Sequence, residues 1–256
     1  MIEEIKKELA RIENESEIKV LLAVESGSRA WGFASADSDW DVRYIYIHRL
    51  NWYLKIDEQK DSQEEILPND LDLSGWELKK ALRLFRKSNP PMLEWLRSPI
   101  VYAEQFSTAE TLREMSKTYF NPKSCMYHYL SMAKGNFKEF LQRDTVRLKK
   151  YFYVLRSVLA CDWIKERNDF PPMEFEKLVD AQVKDSNLRK EIDELLKRKI
   201  AGDEMKEEPK IKILNDFLEE KINFYGDYVG QIEANEKPNT DLLDTLFKET
   251  IFEVWK

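Results

Sequence analysis

Ile2, Ile5, Leu9 and Ile12 recur at helical spacing with charges between them, which predicts an amphipathic helix over 2–15. The pattern then tightens into apolar and β-branched runs at 18–25, 40–48 and roughly 63–73 that read as strands. Residues 76–87 return to helical spacing and stop at Ser88-Asn89-Pro90-Pro91, where proline forbids continuation. A short helix over 92–96 and an edge strand over 98–102, which tolerates Pro99, follow. From about Phe106 the strand signals vanish. Helical periodicity dominates over 107–118, 122–142, 144–167, 173–200, 210–234 and 240–255. The polar, acidic segment 201–209 interrupts it and reads as a mobile loop. No repeat at solenoid periods is visible. The expected architecture is α+β over 1–105 and all-helical over 106–256.

Composition narrows this only a little. A chain of 256 residues, 43% hydrophobic and 12% aromatic, is globular and has room for one large domain or two modest ones. A net charge of −7 argues against non-specific coating of nucleic acid but leaves room for a local basic stripe. Two cysteines, Cys125 and Cys161, imply no disulfide framework. The first residues are charged and lack a signal-peptide core. The apolar run 151–164 is broken by Arg156 and Asp162 and falls short of a membrane span. The expectation is a soluble cytoplasmic protein with no membrane partner.

The chemistry concentrates between the first two strands. The run 18–25 ends in Glu25-Ser26-Gly27-Ser28, where a short helical turn can begin, and Asp39-Trp40-Asp41 opens the next strand after ten intervening residues. With a side-chain period of two, Asp39 and Asp41 share one face and Trp40 takes the other. Two carboxylates beside a turn with exposed N–H groups suit two Mg²⁺ ions about 3.5–4 Å apart and a triphosphate. Gly27 lets the backbone approach a phosphate, and Ser28 adds a hydroxyl. A third carboxylate on a neighbouring strand is wanted, and Asp72 meets the requirement because Leu71 and Leu73 flank it and face the other way. Asp70 has the same parity but lies next to Pro68-Asn69, in loop. Gly-Ser alone is a weak signal, and a solvated turn at Asp37-Ser38-Asp39 before the strand is the plainer reading of Asp39; the combination of the two motifs is much narrower.

Gly-Ser-x₁₀-Asp-x-Asp resembles the DNA polymerase beta-like nucleotidyltransferase superfamily. The wider text is similar to predicted nucleotidyltransferases of its RNA-repair-pathway branch. It comprises residues 25–35 and 37–43, Asp72-Leu73-Ser74-Gly75-Trp76, Ser88-Asn89-Pro90 with Glu94-Trp95-Leu96, residues 149–156 and Pro171-Pro172-Met173. The resemblance spans about residues 18–180. It implies a small mixed palm sheet over 1–105 carrying the catalytic site, followed by the helical domain. It also implies transfer of a nucleotidyl group from a nucleoside triphosphate such as ATP, with Mg²⁺ or Mn²⁺, to a hydroxyl acceptor, and with pyrophosphate release. An RNA end is the first acceptor considered; a protein side chain, as in adenylylation or a toxin–antitoxin pair, is the second. A non-catalytic nucleotide sensor would be marked by loss of one carboxylate. The resemblance assigns metal and catalysis to Asp39 and Asp41, supports Asp72, and gives phosphate contacts to Gly27 and Ser28.

Secondary candidates each carry a plainer reading. Arg29 can reach a phosphate bidentately or hold a structural ion pair. Arg43 shares parity with Asp39 and Asp41 and can balance them. Arg143, Arg147 and Lys150, at i, i+4 and i+7, would form one basic helical face for a triphosphate or RNA backbone, or a merely solvated one. The resemblance favours Lys150 as a nucleotide contact. Tyr151, Phe152 and Tyr153 suit base stacking or core. Cys125 and His128 lack the second pair a zinc site needs, and His48 reads as a surface residue.

Overall fold

Five strands, Ile18–Glu25 (β1), Trp40–His48 (β2), Ser62–Leu67 (β3), Leu71–Glu77 (β4) and Val101–Glu104 (β5), form one sheet in the order β3-β4-β2-β1-β5. β2 and β4 run parallel and the other neighbours antiparallel, so the sheet is mixed. The computed structural model describes residues 1–202, 207–233 and 239–256. It has two compact units: Met1–Ala30 with Asp39–Phe120 and Lys237–Lys256, and Trp31–Ser38 with Asn121–Glu236. A cut at 105/106 follows composition, whereas these units follow contacts and interleave along the chain.

In the sheet unit, helix Ile2–Ser16 (α1) buries Ile5, Leu9 and Ile12 against Val20, Ala23, Val42, Tyr44, Tyr46, Leu71 and Leu73. That parity fixes the other face: Asp41 and Arg43 of β2 and Asp72 of β4 point away from α1. A short helix, Gly27–Trp31 (α2), follows β1, and Leu50–Tyr53 (α3) follows β2. The run read as a single strand over 63–73 is a hairpin, β3 and β4, turned at Asp70, which adopts a left-handed φ of 58°. Helix Leu78–Arg86 (α4) is capped by Glu77, whose carboxylate accepts the Lys79 N–H at 2.8 Å. Pro90–Leu96 (α5) starts behind the Asn89 cap, and Trp95 stacks on Trp76 at 3.8 Å. Thr108–Tyr119 (α6) belongs to this unit, as does the last helix, Asp241–Val254. His48 is buried rather than at the surface, lying flat on Trp52 at 4.1 Å.

The helical unit contains Pro122–Asn136 (α7), which runs into a π-helical turn at Phe137–Leu141. Lys149–Arg167 (α8), Phe175–Gln182 (α9), Ser186–Ile200 (α10) and Lys212–Gln231 (α11) follow, which makes Asp241–Val254 α12. Strand does not vanish in this half: Thr145–Arg147 (β6) pairs with Glu207–Pro209 (β7). Of the loop expected over 201–209, residues 203–206 lie outside the described residues and 207–209 form β7. The unit's core includes Phe33, whose ring lies 4.7 Å from Phe152 and 5.5 Å from Phe175. Among the described residues no helix is long and apolar enough to cross a membrane.

Candidate active site

β1 ends at Glu25, and Asp41 is where β2 leaves the pairing. The Glu25–Val42 pair is the last in the ladder, after which Ser26 N–H donates to the Asp41 carbonyl at 2.8 Å. The chain then turns at Gly27 with φ +60°, a conformation side chains resist. The turn also needs the missing Cβ: one built there would lie 2.1 Å from Asp41 Oδ2. Gly27 therefore gives the Asp41 carboxylate its place. Ser28 is half-buried in α2 beside it.

The parallel register of β2 on β4 sets Asp41 directly beside Asp72. Arg43 lies on the same face, and its Nη2 donates to Asp41 Oδ1 at 2.9 Å and to Asp72 Oδ2 at 2.8 Å. Arg43 Nη1 adds the carbonyls of Val42 and Asp72, each at 3.1 Å. One guanidinium thus bridges the two carboxylates. Burial pushes the Asp41 pKa above the ordinary carboxylate value; Arg43 lowers it, while the charges of Asp72 and Asp39 raise it again. Asp39 precedes the strand and is exposed. Its carbonyl accepts from Arg29 Nε at 3.0 Å, and the Arg29 guanidinium lies 3.8 Å over the Trp40 ring. Trp40 itself packs on the α1 side of the sheet.

Among the described residues no group of three or more His, Cys, Asp or Glu is arranged to hold a metal ion. The donor chemistry still suits one: Asp41 and Asp72 offer hard carboxylate oxygens, the type Mg²⁺ takes. In this structure those oxygens face a protein cation, Arg43. The residues fit the metal in kind, with Arg43 the group that must give way.

Glu25 is the residue that reading the sequence missed. It is fully buried. Its Oε1 accepts the Asp41 N–H at 2.9 Å and its Oε2 the Tyr102 hydroxyl, while Ser98 Oγ donates to its carbonyl at 2.6 Å. Burial pushes its pKa up to about 7, against the lowering effect of the Tyr102 and Asp41 hydrogen bonds. Both oxygens meet donors, so Glu25→Gln must turn an amide N–H toward one of them. We expect a loss of about 1–3 kcal/mol of stability and of about 10–100-fold in turnover, read by thermal unfolding and by the transfer assay below.

The basic helical face does not form. Arg143 follows the π-helical turn, Arg147 is in β6 and Lys150 is in the first turn of α8, so their spacing is not that of one helix. Lys150 belongs to the helical unit, with its ammonium 3.7 Å from the Phe140 ring, and burial, more than the neighbouring Lys149, lowers its pKa. Tyr151 and Phe152 are core residues; Tyr153 is 38% exposed and edges onto Trp31 at 5.6 Å.

A glycine turn that seats one aspartate, with a second aspartate in register on the adjacent parallel strand, defines the class of site. The chain belongs to the RNA repair pathway DNA polymerase beta family (RlaP), whose profile matches residues 1–249. It is 47% identical over 256 residues to the uncharacterised protein YcgL of Bacillus subtilis (strain 168), covering 100% of this chain and 98% of that one. A nucleotidyltransferase-like protein of Exiguobacterium sibiricum 255-15, known from a crystal structure, aligns over 98% of this chain and 88% of its own. That alignment has 11% identity and a TM-score of 0.38.

Proposed function

We propose that the protein transfers a nucleotidyl group from a nucleoside triphosphate to a hydroxyl acceptor, with an RNA end as the first acceptor to test. Family membership supports a nucleotidyltransferase. The observation that carries the finer reading is the Asp41–Asp72 register beside Gly27. In the reaction the acceptor oxygen bonds to the α-phosphorus, the α–β bridging bond breaks, and pyrophosphate leaves with its electron pair. Asp39, Asp41 and Asp72 would hold Mg²⁺ or Mn²⁺, which when bound would neutralise phosphate charge and lower the pKa of the attacking hydroxyl. Asp72 is the group that accepts the hydroxyl proton. Gly27 brings backbone close to the phosphates and the Ser28 hydroxyl donates to them. Arg43, released from the aspartates, supplies positive charge on their face of the sheet, and Arg29 and Lys150 are assigned to the triphosphate. Positioning accounts for most of the rate in this kind of chemistry.

The test is transfer of α-³²P label from each of the four common ribonucleoside triphosphates. Total RNA and cell lysate serve as acceptors, with Mg²⁺ or Mn²⁺, beside an Asp39→Ala/Asp41→Ala control. Label entering RNA only with the intact aspartates is the expected result. Label entering protein instead would make the acceptor a side chain. Triphosphate binding with no transfer to any acceptor would leave a nucleotide sensor.

A further inference from the structure

A net charge of −7 leaves room for a local basic stripe, and the one expected over 143–150 does not form. One does form on α4. Lys79, Arg83 and Arg86 stand at i, i+4 and i+7, the spacing that brings side chains about 5–6 Å apart onto one face. Leu78, Ala81 and Phe85 bury the other face. Arginines elsewhere pair with carboxylates, as Arg11 does with Glu65, Arg113 with Glu104 and Arg189 with Asp180. Among the described residues Lys79, Arg83 and Arg86 form no ion pair. Arg83 is exposed, and Arg86 donates one N–H to Thr240 Oγ1 at 2.8 Å. The Lys79 ammonium lies 4.8 Å over the Tyr53 ring and 5.1 Å over the Phe247 ring. The three cations line a groove between α4 and α12, in which Leu82, Leu243 and Phe247 supply apolar surface. Among the described residues Asp244 is its one carboxylate.

The groove lies in the same compact unit as the aspartates. It also lies on their side of the sheet. Trp76 shares strand parity with Asp72, so its stacking on Trp95 places α5 on the face that carries Asp41 and Asp72. α4, between β4 and α5 in the chain, packs on both. Five residues of β4, about 17 Å at about 3.3 Å each, separate Asp72 from the Glu77 that caps the helix. Cations that track phosphates, beside a ring on which any base can stack, are what a single-stranded polynucleotide needs. An acidic peptide would use the cations and leave the ring without a purpose. We propose that this groove holds the acceptor as single-stranded RNA, with Lys79, Arg83 and Arg86 on its phosphates and Phe247 beneath a base. The inference rests on the reading of an RNA end as the acceptor and deepens it, since it says where the strand behind that end runs.

The experiment is fluorescence anisotropy of a fluorescein-labelled oligouridylate with the full-length protein over a series of salt concentrations, beside the transfer assay. Arg83→Ala is expected to weaken binding about 5-fold at low salt and to lower the slope of log affinity against log salt by about 0.7, the share of one phosphate contact on a single strand. Phe247→Leu should weaken binding about 10-fold with the slope unchanged, because stacking carries no counterions. Asp244→Asn should tighten binding, a direction that a merely structural role does not produce. Lys117→Ala removes an exposed cation of α6 outside the groove and is expected to bind like wild type. The Asp39→Ala/Asp41→Ala protein should bind the oligonucleotide and transfer no label, which separates holding RNA from reacting with it. Equal losses in Arg83→Ala and Lys117→Ala would mean diffuse charge and overturn the inference. So would unchanged binding in Arg83→Ala and Phe247→Leu, with the transfer reading intact. Label entering protein, with no oligonucleotide bound by wild type, would overturn it and make the acceptor a side chain. The expected losses in a protein that transfers no label would uphold the groove as an RNA site and remove the RNA end as acceptor.

Discussion

Asp41→Asn is expected to lower label transfer by at least about 10³-fold, the equivalent of about 4 kcal/mol of transition-state stabilisation. The protein should melt no lower than wild type. Both halves follow from the same geometry. The carboxylate sits at the meeting point of the Gly27 turn and the β2–β4 register, so no other acidic side chain can take its position. Yet its negative charge is not what holds the sheet together. Its pKa is raised in the folded state, first by burial, so the ionised form at neutral pH is a cost to folding and the isosteric amide removes that cost. Arg43 keeps its ion pair with Asp72 when Asp41 is neutralised. A site under functional demand often trades stability in this way. The measurement is a melting curve beside the transfer assay. Wild-type turnover in Asp41→Asn would remove Asp41 from the chemistry, and a large fall in melting temperature would make it a structural residue instead.

The sequence was most legible where a single periodicity ran unbroken. β1 and β2 are bounded as the apolar runs at 18–25 and 40–48 predict, because both faces of these strands are largely buried and the pattern has no competitor. The run at 63–73 was harder. β3 is an edge strand whose Ser62, Gln63, Glu64 and Glu65 are mostly polar, so only the Pro68-Asn69-Asp70 turn separates it from β4. Asp72 could be placed by parity between Leu71 and Leu73, but its alignment with Asp41 could not, since parallel pairing joins segments with no local signal between them. Glu25 went unremarked for a related reason. It closes an apolar strand as any solvated glutamate might, and its burial depends on Tyr102, 77 residues further on. Lys199 sits in a Lys197-Arg198-Lys199 run that reads as exposed; only the fold brings Ser35 and Ser38 to it. The helical pattern over 122–167 concealed the π-helical turn and β6, and so joined Arg143, Arg147 and Lys150 on a face that does not exist.

Gly27→Ala separates the two things this glycine does. At φ +60° any side chain is strained, by about 1–2 kcal/mol for alanine. In addition, the new Cβ would meet Asp41 Oδ2 at 2.1 Å and Cγ at 3.0 Å. The obstructing atoms are the end of a side chain rather than backbone, so relief comes from swinging the Asp41 carboxylate away, which tears it from Arg43 and out of register with Asp72. Displacement of a reacting group by about 1 Å can cost about 10²-fold in rate, and that is the loss expected in label transfer. Gly32→Ala is the control for strain alone. Gly32 has φ +90°, but a Cβ there meets no heavy atom within 4 Å. It should lose a similar amount of stability and keep its activity. Equal activity losses in the two variants would mean that backbone strain, not the place Gly27 leaves for Asp41, is what the turn contributes. A full loss in Gly27→Ala with Gly32→Ala near wild type would tie the glycine of the Gly-Ser motif directly to the carboxylate fourteen positions later.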